Sequence, residues 1–268
     1  MAEPKTVEEH RIYLYDIVKL KLFFLHRWLG EHPEETFSNV LRNRVDIFRK
    51  TEVYPGLRVS ALTETLCFDI PQWLEMENAA ARIYSETKDD EAAFEKSAFD
   101  VFKPSLDARC KRDYLDSSVV YQCGCFRHDL KILHPEINAM EFHITNSKSP
   151  ESFLDYPDYV KECFMQLLDI AEKDFGATNI RTKTWLNSLP RWLEYFPKEW
   201  LDRMSEEDVS VLWHLGFWGQ FITARGTFNH KYGRMLRESG RLPFYPRFAY
   251  CSISAMRAKL DASLQIKG

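Results

Sequence analysis

The chain contains 268 residues, of which 45% are hydrophobic and 28% are charged, and this composition is typical of a globular protein. Its formal net charge of −4 at pH 7 excludes the class of general nucleic-acid binders, which carry a basic surface. A chain of this length buries enough of its surface to form a core without disulfides or structural metal ions.

The cysteines and the first residues of the chain indicate a reducing compartment. Six cysteines are present, but residues 1–5 are polar and lack the apolar core of a secretory signal. We therefore expect reduced thiols and a cytoplasmic location. The Cys123-Gly-Cys125 pair has no second pair at zinc-finger spacing, so we interpret it as two strand residues on one face. The most apolar run, residues 17–29, is too short and too charged to span a bilayer, so we expect no membrane partner.

Helical periodicity dominates residues 1–115. Apolar side chains recur at helical spacing, with charged side chains between them, over residues 7–29. Further helices are predicted over residues 33–48, 71–84 and 92–102, and the first and second of these begin with a proline, which suits the first turn of a helix. The sequence thus predicts a mainly helical layer over residues 1–115.

The periodicity changes after residue 115. Strands are predicted over residues 119–126, 140–145, 179–185 and 209–221. Helices are predicted over residues 157–175 and 252–264, and a pair of short helices is predicted over residues 189–204. This order predicts an α+β fold (mixed α/β) in which the helical N-terminal layer is followed by a sheet with helices packed on it. Because no linker separates the helical layer from residues 116–268, we expect a single compact domain over residues 1–268, with the site in its mixed part.

Residues 214–247 form a segment rich in glycine and arginine. It holds five of the ten glycines of the chain, five arginines, one lysine and a single acid. Arginine presents a planar fork of donors that fits carboxylates and phosphates, although neither a GxxxxGK[ST] nor a GxGxxG loop is present. We predict that Arg234 and Arg241 bind the anionic end of a small substrate. The alternative is a solvated, charged helix face.

Three histidines are candidates for acid–base catalysis: His143, His214 and His230. Histidine is the side chain that titrates nearest to neutral pH when it is unperturbed. His143 lies on a predicted strand, two residues from Glu141 and therefore on the same face. An alternative is a zinc or iron site with Glu141, His143, His214 and His230 as ligands.

Amide and aromatic side chains follow the predicted strands, where α/β proteins concentrate functional groups. Amides there can orient a substrate carbonyl, and indole rings can line an apolar pocket. For residues 187–190 the alternative is a helix cap. Besides the two arginines, the predicted substrate-binding residues are Asn146, Trp185, Asn187, Trp218 and Gln220.

Residues 140–221 resemble GNAT-like acyltransferases in plan. The strand MEFHIT is followed by a long amphipathic helix, the strand NIRTKTW, a helix and a further predicted strand, and the FHITN, TWLNSLP and YFP runs carry the likeness. The Arg/Gln-x-x-Gly-x-Gly/Ala loop that holds the CoA pyrophosphate in that superfamily does not occur here. The resemblance implies a GNAT-like sheet, an acyl-CoA co-substrate and His143 as the base.

We therefore expect an enzyme that applies histidine acid–base chemistry to a small, anionic and partly apolar substrate, with acyl transfer as its reaction. One alternative is a metal-dependent hydrolase or oxygenase with histidine and carboxylate ligands. The other is a non-catalytic protein that binds a ligand or a partner.

Overall fold

The computed structural model describes residue 3 and residues 5–56, 66–116 and 122–265. The chain forms two compact units, each assembled from segments that are distant in sequence. The first unit contains Met1–Pro4, Val120–Ser210 and Phe244–Gly268, and the second contains Lys5–Val119 and Val211–Pro243. The expectation that the whole chain behaves as a single domain stays a prediction.

Helices and strands are both present in the described part of the chain, which confirms the predicted α+β fold class. The helices are α1 (Val7–Glu31), α2 (Phe37–Val40), α3 (Pro71–Glu86), α4 (Glu91–Leu115), α5 (Pro157–Lys173), α6 (Pro190–Leu193), α7 (Lys198–Asp202), α8 (Leu215–Trp218), α9 (His230–Ser239) and α10 (Ile253–Gln265). The strands are β1 (Phe126–His128), β2 (Ala139–Ile144), β3 (Asn179–Thr184) and β4 (Arg247–Ser252). None of the helices in the described ranges combines the length and the apolar content needed to cross a bilayer.

The first unit is built on one mixed sheet with the strand order β1-β2-β3-β4. β2 and β3 are parallel, while β1 and β4 are antiparallel to their neighbours. Parallel neighbours require a crossover connection, and helix α5 lies between β2 and β3 in the chain. The predicted strand–helix–strand order over residues 140–184 is therefore confirmed.

The core of the first unit lies between the sheet and helices α5 and α10. Apolar side chains recur along α5 at helical spacing, so a single face of that helix is buried. Phe126 of β1 packs on Phe164 of α5, with 4.4 Å between ring centroids. Trp192 and Trp200, from α6 and α7, are fully buried in the same core.

The second unit is helical, and its core lies chiefly between α1 and α4. Helix α1 begins where predicted because Thr6 forms a capping box: its hydroxyl accepts from the backbone of Glu9, whose carboxylate accepts from Thr6 N. Trp73 of α3 and Phe102 of α4 are fully buried in this unit. The predicted helical character of residues 7–115 is confirmed for the described residues.

The predicted helix over residues 33–48 is wrong in its length. The chain forms the short helix α2, then a π-helical turn over Leu41–Val45 and a 3-10 turn over Phe48–Lys50. Asp46 adopts a left-handed conformation, with φ of 49°, and ends the helical path. Lys21 donates hydrogen bonds to the carbonyl oxygens of Val45 and Asp46, which compensates them for the helical partners they lack.

Two predicted strands are also wrong. For the strand over residues 119–126, residues 119–121 lie outside the described residues, and Cys123–Phe126 is a turn in which the first and last residues exchange backbone hydrogen bonds. Residues 209–221 contain helix α8 rather than a strand, because the short apolar run is interrupted by glycines and by a histidine that caps the helix. Strand β4, by contrast, was not predicted.

Candidate functional site

One face of the sheet carries polar side chains that the register aligns. Arg127 lies directly opposite His143 on the β1–β2 ladder, and Glu141 lies opposite Arg181 on the β2–β3 ladder. Asp129 follows β1 and donates its backbone N–H to Glu141 O, which extends the ladder by one pair. Residues two apart on a strand share a face, so these five side chains emerge together. We call them the polar sheet face.

An Asp–His pair stands at the centre of the polar sheet face. His143 Nε2 lies 2.8 Å from Asp129 Oδ1, and the side chains are 36% and 24% exposed. A carboxylate that accepts the proton of Nε2 leaves the lone pair of the neutral ring on Nδ1. No described residue bonds to Nδ1. The geometry is that of a base held by an orienting acid, and solvent reaches it.

Arg127 is the register partner of His143 on the β1–β2 ladder. Directly opposite residues of an antiparallel pair have Cβ atoms about 4.5–5.5 Å apart. Within the ranges that the structure describes, the guanidinium of Arg127 forms neither a hydrogen bond nor an ion pair. Arg127 is half-buried, and a guanidinium whose five donors meet no acceptor among the described residues is suited to bind a carboxylate or phosphate.

Glu141 is committed to protein partners. Its carboxylate lies 3.2 Å from Arg181 Nε and 3.6 Å from His134 Nε2. Across the described part of the chain, histidines, cysteines and carboxylates form no group of three or more that could hold a metal ion. The metal alternative, with Glu141, His143, His214 and His230 as ligands, thus has no geometric support in those residues.

Aromatic rings extend the same face toward β4. Phe248 and Tyr250 stack with 5.7 Å between ring centroids, and the guanidinium of Arg181 lies 4.5 Å from the ring centroid of Phe248. Tyr250 lies opposite Arg181 on the β3–β4 ladder, so the rings continue the row of the polar sheet face. An apolar or planar group would find contact area beside the charged part of the face.

The other two predicted catalytic histidines belong to the second unit. His214 caps α8, since its Nδ1 accepts the backbone N–H of Gly216 at 3.2 Å. His230 is the first residue of α9 and is exposed, as expected for a residue at a helix start. His143 lies in the first unit. His214 therefore has a structural role as a helix cap, and the catalytic roles of both His214 and His230 stay predictions.

Three of the predicted substrate-binding residues are enclosed by protein. Asn187 and Gln220 are 0% exposed and Trp218 is 2% exposed. Asn187 donates to Arg247 O at 2.8 Å, and Trp218 Nε1 donates to Arg44 O at 2.9 Å. Gln220 donates to a backbone carbonyl at 2.7 Å. This burial argues against contact with a substrate, because the polar atoms of these three side chains form hydrogen bonds with backbone groups.

Asn146 and Trp185 are half-buried and serve the local structure of the first unit. Asn146 Oδ1 accepts the backbone N–H groups of Lys148 and Phe153, which fixes the loop after β2. Trp185 stacks on Phe244 with 6.1 Å between ring centroids. Their contact with a substrate stays a prediction.

Arg234 and Arg241 are exposed, and their binding of an anion stays a prediction. Their neighbour Arg237 forms a two-fold hydrogen-bonded pair with Glu95 of α4, at 2.7 and 3.1 Å. Both of these residues line a groove of about 420 Å³ between α1, α4 and α9. The presence of a single acid within residues 214–247 therefore did not show that the arginines of this segment lack carboxylate partners, because carboxylates from other helices reach them.

Two residues of the polar sheet face, Asp129 and Arg127, were not predicted from the sequence. Both lie on or beside a strand that the hydrophobic pattern placed too early in the chain. Their alternation in Arg127-His128-Asp129 puts the two polar residues on one face and the buried His128 on the other. That alternation is the sequence signal that could have located the strand at these residues.

Comparison of the chain with protein-family models, with curated proteins and with solved structures gives no match. The resemblance to GNAT-like acyltransferases therefore stays a prediction.

Proposed function

We propose that the chain is an enzyme that applies histidine acid–base chemistry to a small, anionic and partly apolar molecule, with the polar sheet face as its site. The observation that carries the proposal is the 2.8 Å contact between His143 Nε2 and Asp129 Oδ1. A base oriented by a carboxylate is the arrangement that proton abstraction requires. His143 takes the proton of the substrate's nucleophile at Nδ1, and Asp129 stabilises the imidazolium that results.

Arg127 supplies the recognition of the substrate's anionic group. Its guanidinium, which bonds to none of the described residues, lies across the ladder from His143, so a bound carboxylate or phosphate places neighbouring atoms of the substrate beside the base. Phe248 and Tyr250 provide the contact for an apolar part. The reaction that we propose is acyl transfer from an acyl-CoA: the activated nucleophile attacks the thioester carbonyl, the C–S bond breaks, and the leaving CoA thiolate takes the proton from His143.

A thermal-shift panel tests binding, because a ligand that binds the native state raises the melting temperature. The panel contains acyl-CoA thioesters, free CoA and small carboxylates with hydroxyl or amino groups. We expect at least one thioester and one carboxylate to raise the melting temperature. Arg127→Met is expected to abolish the carboxylate shift, whereas Arg191→Met, the control at an exposed arginine of the same unit, is expected to retain it.

Turnover is tested by mass spectrometric detection of free CoA and of the acylated product. His143→Gln is expected to retain the thermal shifts and to lose turnover by about 10²–10⁴-fold. If ligands bind but His143→Gln does not change turnover, acid–base catalysis at this face is wrong. If carboxylates bind and no product forms with any thioester, the chain is a ligand-binding protein. The absence of every shift contradicts the whole proposal.

A further inference from the structure

The groove of about 420 Å³ between α1, α4 and α9 belongs entirely to the second unit, whereas the polar sheet face belongs to the first. Its volume is within the range of small-molecule sites, which is about 300–1,000 Å³. Charged side chains of both signs line it, and most of them come from α4. The proposed acid–base chemistry uses none of these residues.

Several charges of the groove are already satisfied by protein partners. Arg237 of α9 donates two hydrogen bonds to Glu95 of α4, at 2.7 and 3.1 Å, and this pair links the two helices. Lys103 of α4 donates to Asp107, one turn further along the same helix, at 2.7 Å. Two groups that neutralise each other offer little to a ligand, so recognition depends on the remaining charges.

Lys19 of α1 presents a cation to the groove. Its side chain is half-buried, and Nζ lies 4.7 Å from the ring centroid of Phe99 of α4. Within the ranges that the structure describes, its ammonium has no hydrogen-bond acceptor and no ion pair. An ammonium has three donors, and the face of a ring does not replace a carboxylate as their acceptor. Lys19 is therefore suited to bind an anionic group.

Asp16 lies one turn before Lys19 on the same face of α1. It is half-buried, and no residue of the described part of the chain donates a hydrogen bond to it or forms an ion pair with it. Burial raises its pKa, and the nearby charges of His230, Lys19 and Arg237 act in the opposite direction. Since Lys19 and Arg237 line the groove, Asp16 lies beside it and can accept from a cationic group.

The separation of these two side chains matches the separation of charges in an α-amino acid. Residues three apart on a helix have Cβ atoms about 5–6 Å apart. Asp16 and Lys19, both in the described range 5–56, form no ion pair with each other. A single carbon joins the ammonium and the carboxylate of an α-amino acid, so one molecule can contact both side chains. A simple anion or a simple cation would satisfy only one of them.

We propose that the groove binds a free α-amino acid with an apolar side chain, whose carboxylate accepts from Lys19 and whose ammonium donates to Asp16. The apolar side chain of the ligand packs on Ala92 and Phe99, which are seven residues apart and therefore on one face of α4. The second unit thus has a binding function of its own, independent of the chemistry proposed for the first.

Isothermal titration calorimetry on the full chain tests the proposal with four ligands. They are L-leucine, its amide without the carboxylate, N-acetyl-leucine without the ammonium, and glycine. L-leucine is expected to bind, and each of the other three is expected to bind about tenfold more weakly or less, because each loses one contact. Equal binding of L-leucine and any of these three overturns the proposal, and so does the absence of L-leucine binding at millimolar concentration.

Variants locate the ligand. Lys19→Met and Asp16→Asn are each expected to weaken the binding of L-leucine about tenfold. Lys111→Met, at an exposed lysine of α4 that does not line the groove, and Arg127→Met, at the polar sheet face, are expected to bind as the parent chain does. Circular dichroism verifies that all four are folded. Binding that is lost in Arg127→Met and retained in Lys19→Met places the ligand at the polar sheet face and overturns the proposal.

Discussion

The carboxylate of Asp129 lies 2.8 Å from Nε2 of His143, and the two residues are 14 positions apart in the sequence. The antiparallel register of β1 and β2 brings them together, since Arg127 lies opposite His143 and Asp129 continues the same face. Strands of a sheet are more rigid than loops, and a base held on one keeps its orientation. The contact between the two residues is therefore fixed by strand pairing, and we expect it to hold the ring of His143 in one orientation.

Asp129→Asn is expected to reduce kcat/KM by about 10²-fold, because the amide no longer stabilises the imidazolium that forms on His143. The double variant with His143→Gln is expected to be no slower than His143→Gln alone, since Asp129 acts only through His143. Steady-state kinetics on all three variants measure this. Glu136→Gln is the control, because it removes the carboxylate that lies 3.1 Å from His134 Nδ1. If the loss of kcat/KM in the double variant equals the product of the two single losses, the orienting role of Asp129 is contradicted.

Asn187→Leu is expected to lower the free energy of unfolding by about 1–3 kcal/mol, because it leaves buried partners without hydrogen bonds. Asn187 donates to Arg247 O at 2.8 Å and accepts from Trp192 Nε1 at 3.1 Å. Urea denaturation measures the change. Ser188→Ala, which removes one 3.1 Å hydrogen bond from a half-buried hydroxyl, is the control and is expected to cost less. A loss of ligand binding at unchanged stability would instead support the substrate-binding role predicted from the sequence.

Local sequence signals predicted the elements whose burial is one-sided. Helix α5 and strands β2 and β3 have regular periodicity, and the structure has them close to the predicted bounds. Strand β4 was missed because its inward residues are small, Ala249 and Cys251, while its aromatic residues point to the polar side. In such a strand the larger hydrophobic residues face away from the core, so the hydrophobic pattern predicts the wrong face to be buried.

The candidate site could be predicted only in part, because its contacts depend on segments that the fold brings together. His143 was predicted as a candidate base because the acid–base chemistry of histidine follows from the residue type alone. Its pairing with Asp129 depends on register, and the protein acceptors of Arg237 and Arg225 come from α4 and α1, far away in sequence. Composition within one segment does not reveal partners that the fold brings from another.

The stability of the chain is expected to rise with pH because of Lys21. Burial lowers the pKa of Lys21 to about 7, although the charge of Asp46 acts in the opposite direction. Between this value and the pKa of the unfolded chain, about 10.4, the unfolded state binds more protons than the folded state. Stability therefore increases as pH rises above 7, and below 7 the cost of the buried charge is fully present.

Urea denaturation at pH 6, 7, 8 and 9 measures this effect against Lys21→Met, which has no amine to titrate. From pH 7 to 9 the parent chain is expected to gain about 1–2 kcal/mol relative to the variant, at no more than about 1.4 kcal/mol per pH unit. Lys198→Met, at an exposed lysine of α7, is the control and is expected to follow the parent profile. Parallel profiles for the parent chain and Lys21→Met would show that Lys21 does not titrate in this range.

Gly124→Ala and Gly176→Ala form a matched pair, because their φ angles are +59° and +62°. A Cβ at Gly176 meets no atom within 4 Å, so that variant is expected to cost only the strain of the left-handed conformation, about 1–2 kcal/mol. Gly124→Ala adds a collision at 2.2 Å with the Cys163 sulfur and is expected to cost about 1–3 kcal/mol more. Removal of the sulfur in a Cys163→Ala background is expected to recover part of this excess, since only the contact with Tyr159 then remains. Equal costs of the two glycine variants in chemical denaturation would mean that the turn can move away from the sulfur without penalty.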